Sequence, residues 1–511
     1  MINSVSPSQQ RLRTLLEHYQ KGRYDDAEEM AILITQEFPM DQFAWKILGV
    51  LFRKKSMKAE ALNANQKAVK LVPQDAEAHN NLGATLYELG RLEEALDCYS
   101  QAIALKPGYA EAHSNLSSTL KELGRLEEAE TSVLQAISLK SDFAEAHNNL
   151  GATLYELGRL EEALDCYSQA IALKPDYAEA YTNMALALSG MVFEKHNPDI
   201  QEIITSILDH KTYVRPVDIS NATISLLKFE PSIKKVFKIH SASELRLSLQ
   251  EIILDLSEVP LLLKLMSVSM LTDIELETIL TDIRSGLLSS ISEIKVSSKI
   301  LRFQSALALQ CFTNEYVYDH TDKEAMLLEE LEVAVKESLL KGEQPSPHFI
   351  LCLATYKPLY KYEWCDQLTV TADTEEVFIR QVIEPQQETL LKSDIPILQE
   401  ITDKMSSKVR LQYEENPYPR WVNTGLPLNP SSIYEVTKKL ELRIFDPKIN
   451  DIENPKILIG GCGTGQHSIS TAARFTRSEV LAVDLSLASL AYAKRKTQEL
   501  GFRNVEYMHA D

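Results

Sequence analysis

The sequence is poor in several things, and each shortage removes a class of protein. Glycine is scarce, 17 residues in 511, about half the ~7% usual in globular chains. Glycine weakens helix interiors, so its scarcity beside abundant Leu, Glu, Ala and Lys predicts a mostly helical chain. Six cysteines (Cys98, Cys166, Cys311, Cys352, Cys365 and Cys462) form no CxxC pair, which fits a reduced, cytoplasmic compartment. No long apolar run is present. The most hydrophobic stretch, 259–271, has 13 residues and contains Pro260 and Lys264, whereas a spanning helix needs about 20, so no membrane insertion is expected. The opening residues MINSVSPSQQRLRT contain no apolar core for a secretory signal. Basic residues are in deficit, 53 against 73 acidic for a net charge of −20. That excludes general binding to nucleic acid or anionic membrane, which needs a basic face. What remains is ordinary globular composition, 44% hydrophobic and 25% charged, over a length that predicts about three domains.

The first third is periodic. Residues 76–107, AEAHNNLGATLYELGRLEEALDCYSQAIALKP, recur unchanged at 144–175, a displacement of 68, or twice 34. Between them 110–141 carries the same pattern with substitutions. The phase extends backwards through Trp45, Leu48, Gly49, Phe52, Ala61, Ala68 and Pro73, and again through Leu15, Ala27, Ala31 and Pro39. Each unit reads as two helices broken at Leu-Gly-Arg-Leu (Gly90, Gly124, Gly158). Small residues such as Gly83, Ala95 and Ala102 allow close helix approach. A proline at 39, 73, 107 or 175 ends the second helix, which proline cannot continue.

This pattern resembles the tetratricopeptide repeat in its period, small positions, aromatic residue and terminal proline. Five units are expected over 8–177, followed by a final helix at 178–189. Such repeats stack into a superhelix whose concave groove is lined by the first helix of each unit. Asparagine returns at one phase, Asn81, Asn115, Asn149 and Asn183. The amide offers a donor and an acceptor, which suits the backbone of an extended peptide. A similar asparagine ladder lines the groove of the repeat domain in O-linked N-acetylglucosamine transferases. These residues are therefore candidates for holding a protein or peptide partner; packing between units is the competing reading. His79, His113 and His147 also repeat every 34 residues, but they occupy the position of Trp45. They read as half-buried packing residues, and no metal site is expected.

From 191 to about 410 the period is lost and glycine appears only at Gly286 and Gly342. Apolar residues at helical spacing predict a separate helical middle domain. The aromatic stretch PSPHFILCLATYKPLYKYEWC (345–365) reads as core beside a proline turn. In YEENPYPRW (413–421) the two prolines enforce an extended path. Tyr418, Arg420 and Trp421 suit either a linker anchor or a pocket cover, and a linker is expected over 411–450.

Glycine returns abruptly at 460–465 in KILIGGCGTGQHSISTAARF. A short apolar strand, a glycine loop, a helix, a second strand ending at Asp484, another helix and a third strand follow in order. Glycines let a backbone approach a ligand closely, and a carboxylate 19 residues past Gly465 suits ribose hydroxyls. A dinucleotide loop reads GxGxxG. Here Gly461, Gly463 and Gly465 give GxGxG, and GGCGTG followed by AVDLS resembles class I S-adenosylmethionine-dependent methyltransferases over 455–511. The resemblance implies S-adenosyl-L-methionine as cofactor. Gly461, Gly463 and Gly465 would cradle its methionine part, Asp484 would hold the ribose, and Asp511 would lie by the adenine. It also implies an acid two residues before the first loop glycine, where this chain has Ile459.

Three strands of a doubly wound domain with about seven imply a C-terminally truncated chain, so no catalytic base is assignable and the methyl acceptor is unspecified. The expected architecture is mostly α: a tetratricopeptide solenoid (8–190), a helical middle domain (191–410), a linker (411–450) and an incomplete α/β Rossmann-like methyltransferase half-domain (451–511). The expected function is a methyltransferase with a partner- or substrate-binding repeat domain. A non-catalytic interaction scaffold is the alternative.

Overall fold

The computed structural model describes residues 6–241, 248–398, 403–415, 417, 419–440 and 442–511. The chain divides into two compact units, Met1–Ala187 and Leu188–Asp511.

The first unit is a stack of antiparallel helix pairs, from Gln9–Gln20 with Tyr24–Glu37 to Ala144–Glu156 with Leu160–Leu173, followed by Ala178–Ser189. In the middle units the first helix stops where Gly90, Gly124 and Gly158 enter the left-handed region at φ +70°, +73° and +75°, the usual helix exit at glycine. The small positions have a visible cause. A Cβ on Gly83 would lie 2.8 Å from the Tyr99 ring, and one on Gly151 would lie 2.6 Å from Tyr167. The tyrosine of the second helix thus fills the notch that the glycine leaves in the first. Tyr99 and Tyr167 are almost fully buried, as are Ala95, Ala102, Ala163 and Ala170. Burial of such aromatic and methyl surface is what holds repeats together.

The second unit begins as a helical layer, Pro198–Asp209 through Lys404–Glu415. The aromatic stretch predicted as core lies in it: His348 and Cys352 are 1% exposed, and Trp364 stacks on Tyr362 at 4.7 Å. A π turn at Ile379–Ile383 interrupts the helical run 375–392. It carries the buried Arg380 and Gln381, which bond the Ser267, Ala308 and Ala354 carbonyls.

After this layer comes a parallel sheet in the order β1 (Lys456–Gly460), β2 (Glu479–Asp484), β3 (Val505–His509). Its crossovers are the helices Gln466–Arg474 and Leu487–Glu499. Ile459, Ala482 and Tyr507 stand in register and pack under those helices with Val480, Leu490 and Ala491. On the β3 side Ile397 forms a parallel bridge with His509. The whole is a mostly helical protein with a Rossmann-like strand–helix alternation at its carboxyl end.

The linker expected over 411–450 differs in part. Residues 419–426 are packed: Asn423 donates to the Leu208 carbonyl at 2.7 Å, and the Thr424 and Leu426 amides bond Lys211 and Thr212. Proline stops helix formation, but an extended path can still be tied down by amides and an indole.

Candidate cofactor site

At the end of β1 the chain turns through 461–465 into the helix Gln466–Arg474. Gly461, Gly463 and Gly465 have φ of +66°, +54° and +81°, a conformation glycine adopts without a Cβ penalty. Their surroundings differ. A Cβ on Gly461 or Gly463 would meet nothing within 4 Å. One on Gly465 would lie 2.5 Å from the Ala493 Cβ and 3.0 Å from the Tyr507 hydroxyl. The first two glycines therefore leave open space at the loop, while the third lets the loop helix close onto Leu487–Glu499 and β3. Space for a ligand and close helix–strand packing are the two uses of glycine in nucleotide-binding loops.

Asp484, at the end of β2, ties the loop together. Its Oδ2 accepts from the Gly463 N–H at 2.8 Å and its Oδ1 from the Ser486 N–H at 3.0 Å. The Cys462 N–H bonds the Val483 carbonyl, and the Ala510 N–H bonds the Asp484 carbonyl. A carboxylate has about four acceptor sites, so two backbone bonds leave capacity for ligand hydroxyls. Asp511 follows β3, whose His509 stands opposite Asp484; it is exposed and accepts from the Ser406 hydroxyl at 3.1 Å. All five candidate residues thus gather at one carboxyl edge of the sheet, the edge where open α/β sheets bind ligands. Ile459 lies in the core beneath them and offers no acceptor. Burial, reinforced by the Asp484 charge, pushes the Cys462 thiol up to about 12, so it stays protonated and is no nucleophile at neutral pH.

Sequence reasoning missed what lies against this loop. The Trp421 indole N–H donates to the Thr464 carbonyl at 3.0 Å, and the Thr464 hydroxyl donates to the Pro419 carbonyl at 2.9 Å. Tyr492 supports the Trp421 ring edge-on and bonds its carbonyl. Further back, the Ser486 hydroxyl bonds the Tyr413 carbonyl, and the Leu487 N–H donates to Glu414 at 2.5 Å. The described residues of this stretch, 413–415, 417 and 419–421, thus form a strap tied to the β2 exit at one end and to the glycine loop at the other. Tyr418 lies outside the described residues. The motif YEENPYPRW was the available signal.

In the repeat unit three of the four asparagines join neighbouring repeats. Asn115, Asn149 and Asn183 each donate an amide N–H at 3.0 Å to the preceding repeat, on Asn80, Ser114 and Asn148 respectively. All three remain half-buried, as does Asn81. The histidines have a local role: a ring nitrogen of His79, His113 and His147 lies 3.0–3.2 Å from the carbonyl six residues earlier, as does the Trp45 indole N–H at 3.0 Å. Each joins its helix to the preceding turn.

The comparisons with known proteins agree with this division. A TPR repeat family model matches 51–90, 118–158 and 153–191, a Tetratricopeptide repeat model matches 76–109, and a Methyltransferase domain model matches 457–511. The class of architecture is thus a helical repeat array joined to a Rossmann-like domain. More particularly, tetratricopeptide repeats occupy the first third of this chain, and a methyltransferase domain lies at 457–511. No curated protein matches the chain. Among solved structures it is similar to TTC0263, a thermophilic TPR protein of Thermus thermophilus, at 29% identity over 35% of this chain and 98% of that one, with a TM-score of 0.32. It is also similar to YrrB, described as a TPR protein with an unusual peptide-binding site, at 21% identity over 34% and 90%, with a TM-score of 0.29. The first TPR of Spaghetti (RPAP3) bound to an HSP90 peptide is similar at 26% identity over 22% and 90%, with a TM-score of 0.22.

Proposed function

We propose that the protein is an S-adenosylmethionine-dependent methyltransferase whose repeats recruit a protein or peptide partner. One observation carries the reading: two left-handed glycines with open space above them sit beside a carboxylate that already organises their loop. S-adenosylmethionine supplies an electrophilic methyl group when bound. The chain's own part is positional, which for such displacements is most of catalysis. Gly461 and Gly463 admit the ligand to the backbone, Asp484 orients ribose hydroxyls, and Asp511 stands on the adenine side. Gly465 keeps the loop seated, and the strap holds Thr464 from behind. Localisation in the cytoplasm is part of the same reading, resting on the dispersed cysteines. On the repeat unit, the half-buried amides of Asn81, Asn115, Asn149 and Asn183 suit peptide backbone, as the name of the RPAP3 neighbour suits a peptide ligand.

The aliphatic Ile459 at the place where such domains carry an acid favours a second reading, a scaffold with a non-catalytic carboxyl domain. Calorimetric titration of the full-length protein with S-adenosylmethionine, and separately with NAD, separates the two. Binding of S-adenosylmethionine is expected, with Asp484→Ala weakening it roughly ten- to a hundredfold by loss of a charge-assisted acceptor. Binding of NAD alone overturns the methyltransferase reading, and binding of neither leaves the scaffold.

A further inference from the structure

Arg420 sits between the two strap residues that hold the glycine loop. The Pro419 carbonyl accepts from the Thr464 hydroxyl at 2.9 Å, and the Trp421 indole N–H donates to the Thr464 carbonyl at 3.0 Å. Thr464 lies between Gly463 and Gly465, so both bonds act on the peptide units that join these left-handed glycines. The Arg420 side chain goes the other way, into the helical layer. Its guanidinium lies over the Phe312 ring, 4.7 Å from the centre, and its Nε–H donates to Glu315 at 2.7 Å. That side chain is only 7% exposed. A charge so buried needs a fixed partner, and removing the partner is costly.

The turn that presents Glu315 is strained. It follows the helix Ser298–Thr313, and Glu315 and Tyr316 both stand in the left-handed region at φ +57°. Among the described residues they are the only adjacent non-glycine pair there. Glycine takes such helix exits without a Cβ penalty, so these side chains are kept at a conformational cost that surrounding bonds must hold. The Tyr316 N–H bonds the Cys311 carbonyl at 2.8 Å, and its hydroxyl bonds the Ala354 carbonyl at 3.2 Å. Just beyond, the guanidinium of Arg284, itself 1% exposed, donates to the Tyr318 and Asp319 carbonyls at 3.2 and 2.5 Å. What this turn delivers, and glycine would not, is a carboxylate bonded to the residue between Pro419 and Trp421.

We infer that Glu315 is a positioning residue for the cofactor loop, acting through Arg420 and the strap on Thr464. The ion pair seats residue 420, residue 420 sets where the Pro419 carbonyl and the Trp421 indole stand, and these two set the loop. Its effect on S-adenosylmethionine rests on the methyltransferase reading; the coupling from Glu315 to the loop does not.

The test is amide hydrogen exchange of the full-length protein and its Glu315→Gln variant, beside calorimetric titration with S-adenosylmethionine. The loop amides of Cys462, Gly463 and Gly465 are all hydrogen-bonded, and β1 and β2 serve as internal references. Glu315→Gln is expected to speed exchange in the loop while β1 and β2 keep the parent's rates, and to lower cofactor affinity about three- to thirtyfold. Thr464→Val, which lacks the hydroxyl bond to Pro419, is expected to speed loop exchange as well. In that background Glu315→Gln is expected to add less than it does alone, because both changes act along one line of contacts. Arg420→Lys keeps the charge but loses the guanidinium's fit, and gives the same pattern at smaller size should Glu315→Gln fail to fold. Loop exchange equal to the parent's in the folded variants, acceleration spread evenly over β1 and β2, or full additivity with Thr464→Val overturns the proposal. So does unchanged affinity where the parent binds S-adenosylmethionine. Faster loop exchange in a protein whose parent does not bind S-adenosylmethionine overturns only the methyltransferase reading.

Discussion

The repeat array and the glycine loop use the same residue for opposite ends. At Gly83 and Gly151 the missing side chain is replaced by protein: a tyrosine ring occupies the place a Cβ would take. At Gly461 and Gly463 nothing within 4 Å occupies it. A vacancy that the fold fills is a packing device, and one that it leaves unfilled in a strained loop is room for something else. Backbone conformation sharpens the contrast. Gly461 and Gly463 are left-handed and Gly83 and Gly151 are helical, so the loop pair requires glycine for its backbone and the repeat pair for its packing. Gly465 stands between the two cases, left-handed like its neighbours and filled like the repeat glycines.

That intermediate position predicts the largest effect. Gly465→Val drives a branched side chain into Ala493 and forces a left-handed conformation. Overpacking at about 1–3 kcal/mol and the left-handed penalty at about 1–2 kcal/mol together imply a loss on the order of 2–5 kcal/mol, read by denaturant unfolding. Gly151→Val meets only the first cost, against Tyr167, and is expected to lose about 1–3 kcal/mol. Equal losses at the two positions would dissolve the distinction drawn between them.

A smaller loss of stability with a larger loss of ligand is expected at Gly463→Ala. No neighbour is struck, so the fold loses only about 1–2 kcal/mol from conformation. The new methyl enters the open space, and S-adenosylmethionine affinity is expected to fall more than about tenfold, a difference of about 1.4 kcal/mol. Unchanged affinity in a folded Gly463→Ala protein would show that the space is not where the cofactor lies.

The contrast also explains what could be read from the residues alone. The 34-residue period is written locally: Gly90, Pro107 and the exact recurrence of 76–107 speak for themselves, because each repeat touches only its neighbours. The loop is equally local, five residues whose conformation their own chemistry dictates. The strap is not. Trp421 meets Thr464, 43 residues away, and Glu414 meets Leu487, 73 residues away. The motif YEENPYPRW signals an extended path that suits a linker anchor or a pocket cover, but it names no partner, so the stretch reads as a linker first. The asparagine ladder was legible as a periodicity but not as a division of labour.

That division gives the smallest and most selective effect. The amides of Asn115, Asn149 and Asn183 donate to the preceding repeat. The corresponding residue 35 positions before Asn81 is Lys46, which instead pairs with Asp75 and Glu77, and among the described residues no such donation from Asn81 is seen. Asn149→Ala therefore removes an inter-repeat hydrogen bond. It is expected to lower stability by about 0.5–1.5 kcal/mol, visible as a modest fall in the thermal midpoint. Asn81→Ala removes none, and its stability is expected to stay within about 0.5 kcal/mol of the parent. If the ladder also touches a peptide, both variants recover less partner in a pulldown, and Asn81→Ala does so at unchanged stability. A ladder that only joins repeats predicts the reverse: partner recovery tracks stability, and Asn81→Ala behaves like the parent. Because Asn81 separates binding from packing, it decides between the two uses where the simultaneous replacement of all four asparagines would not.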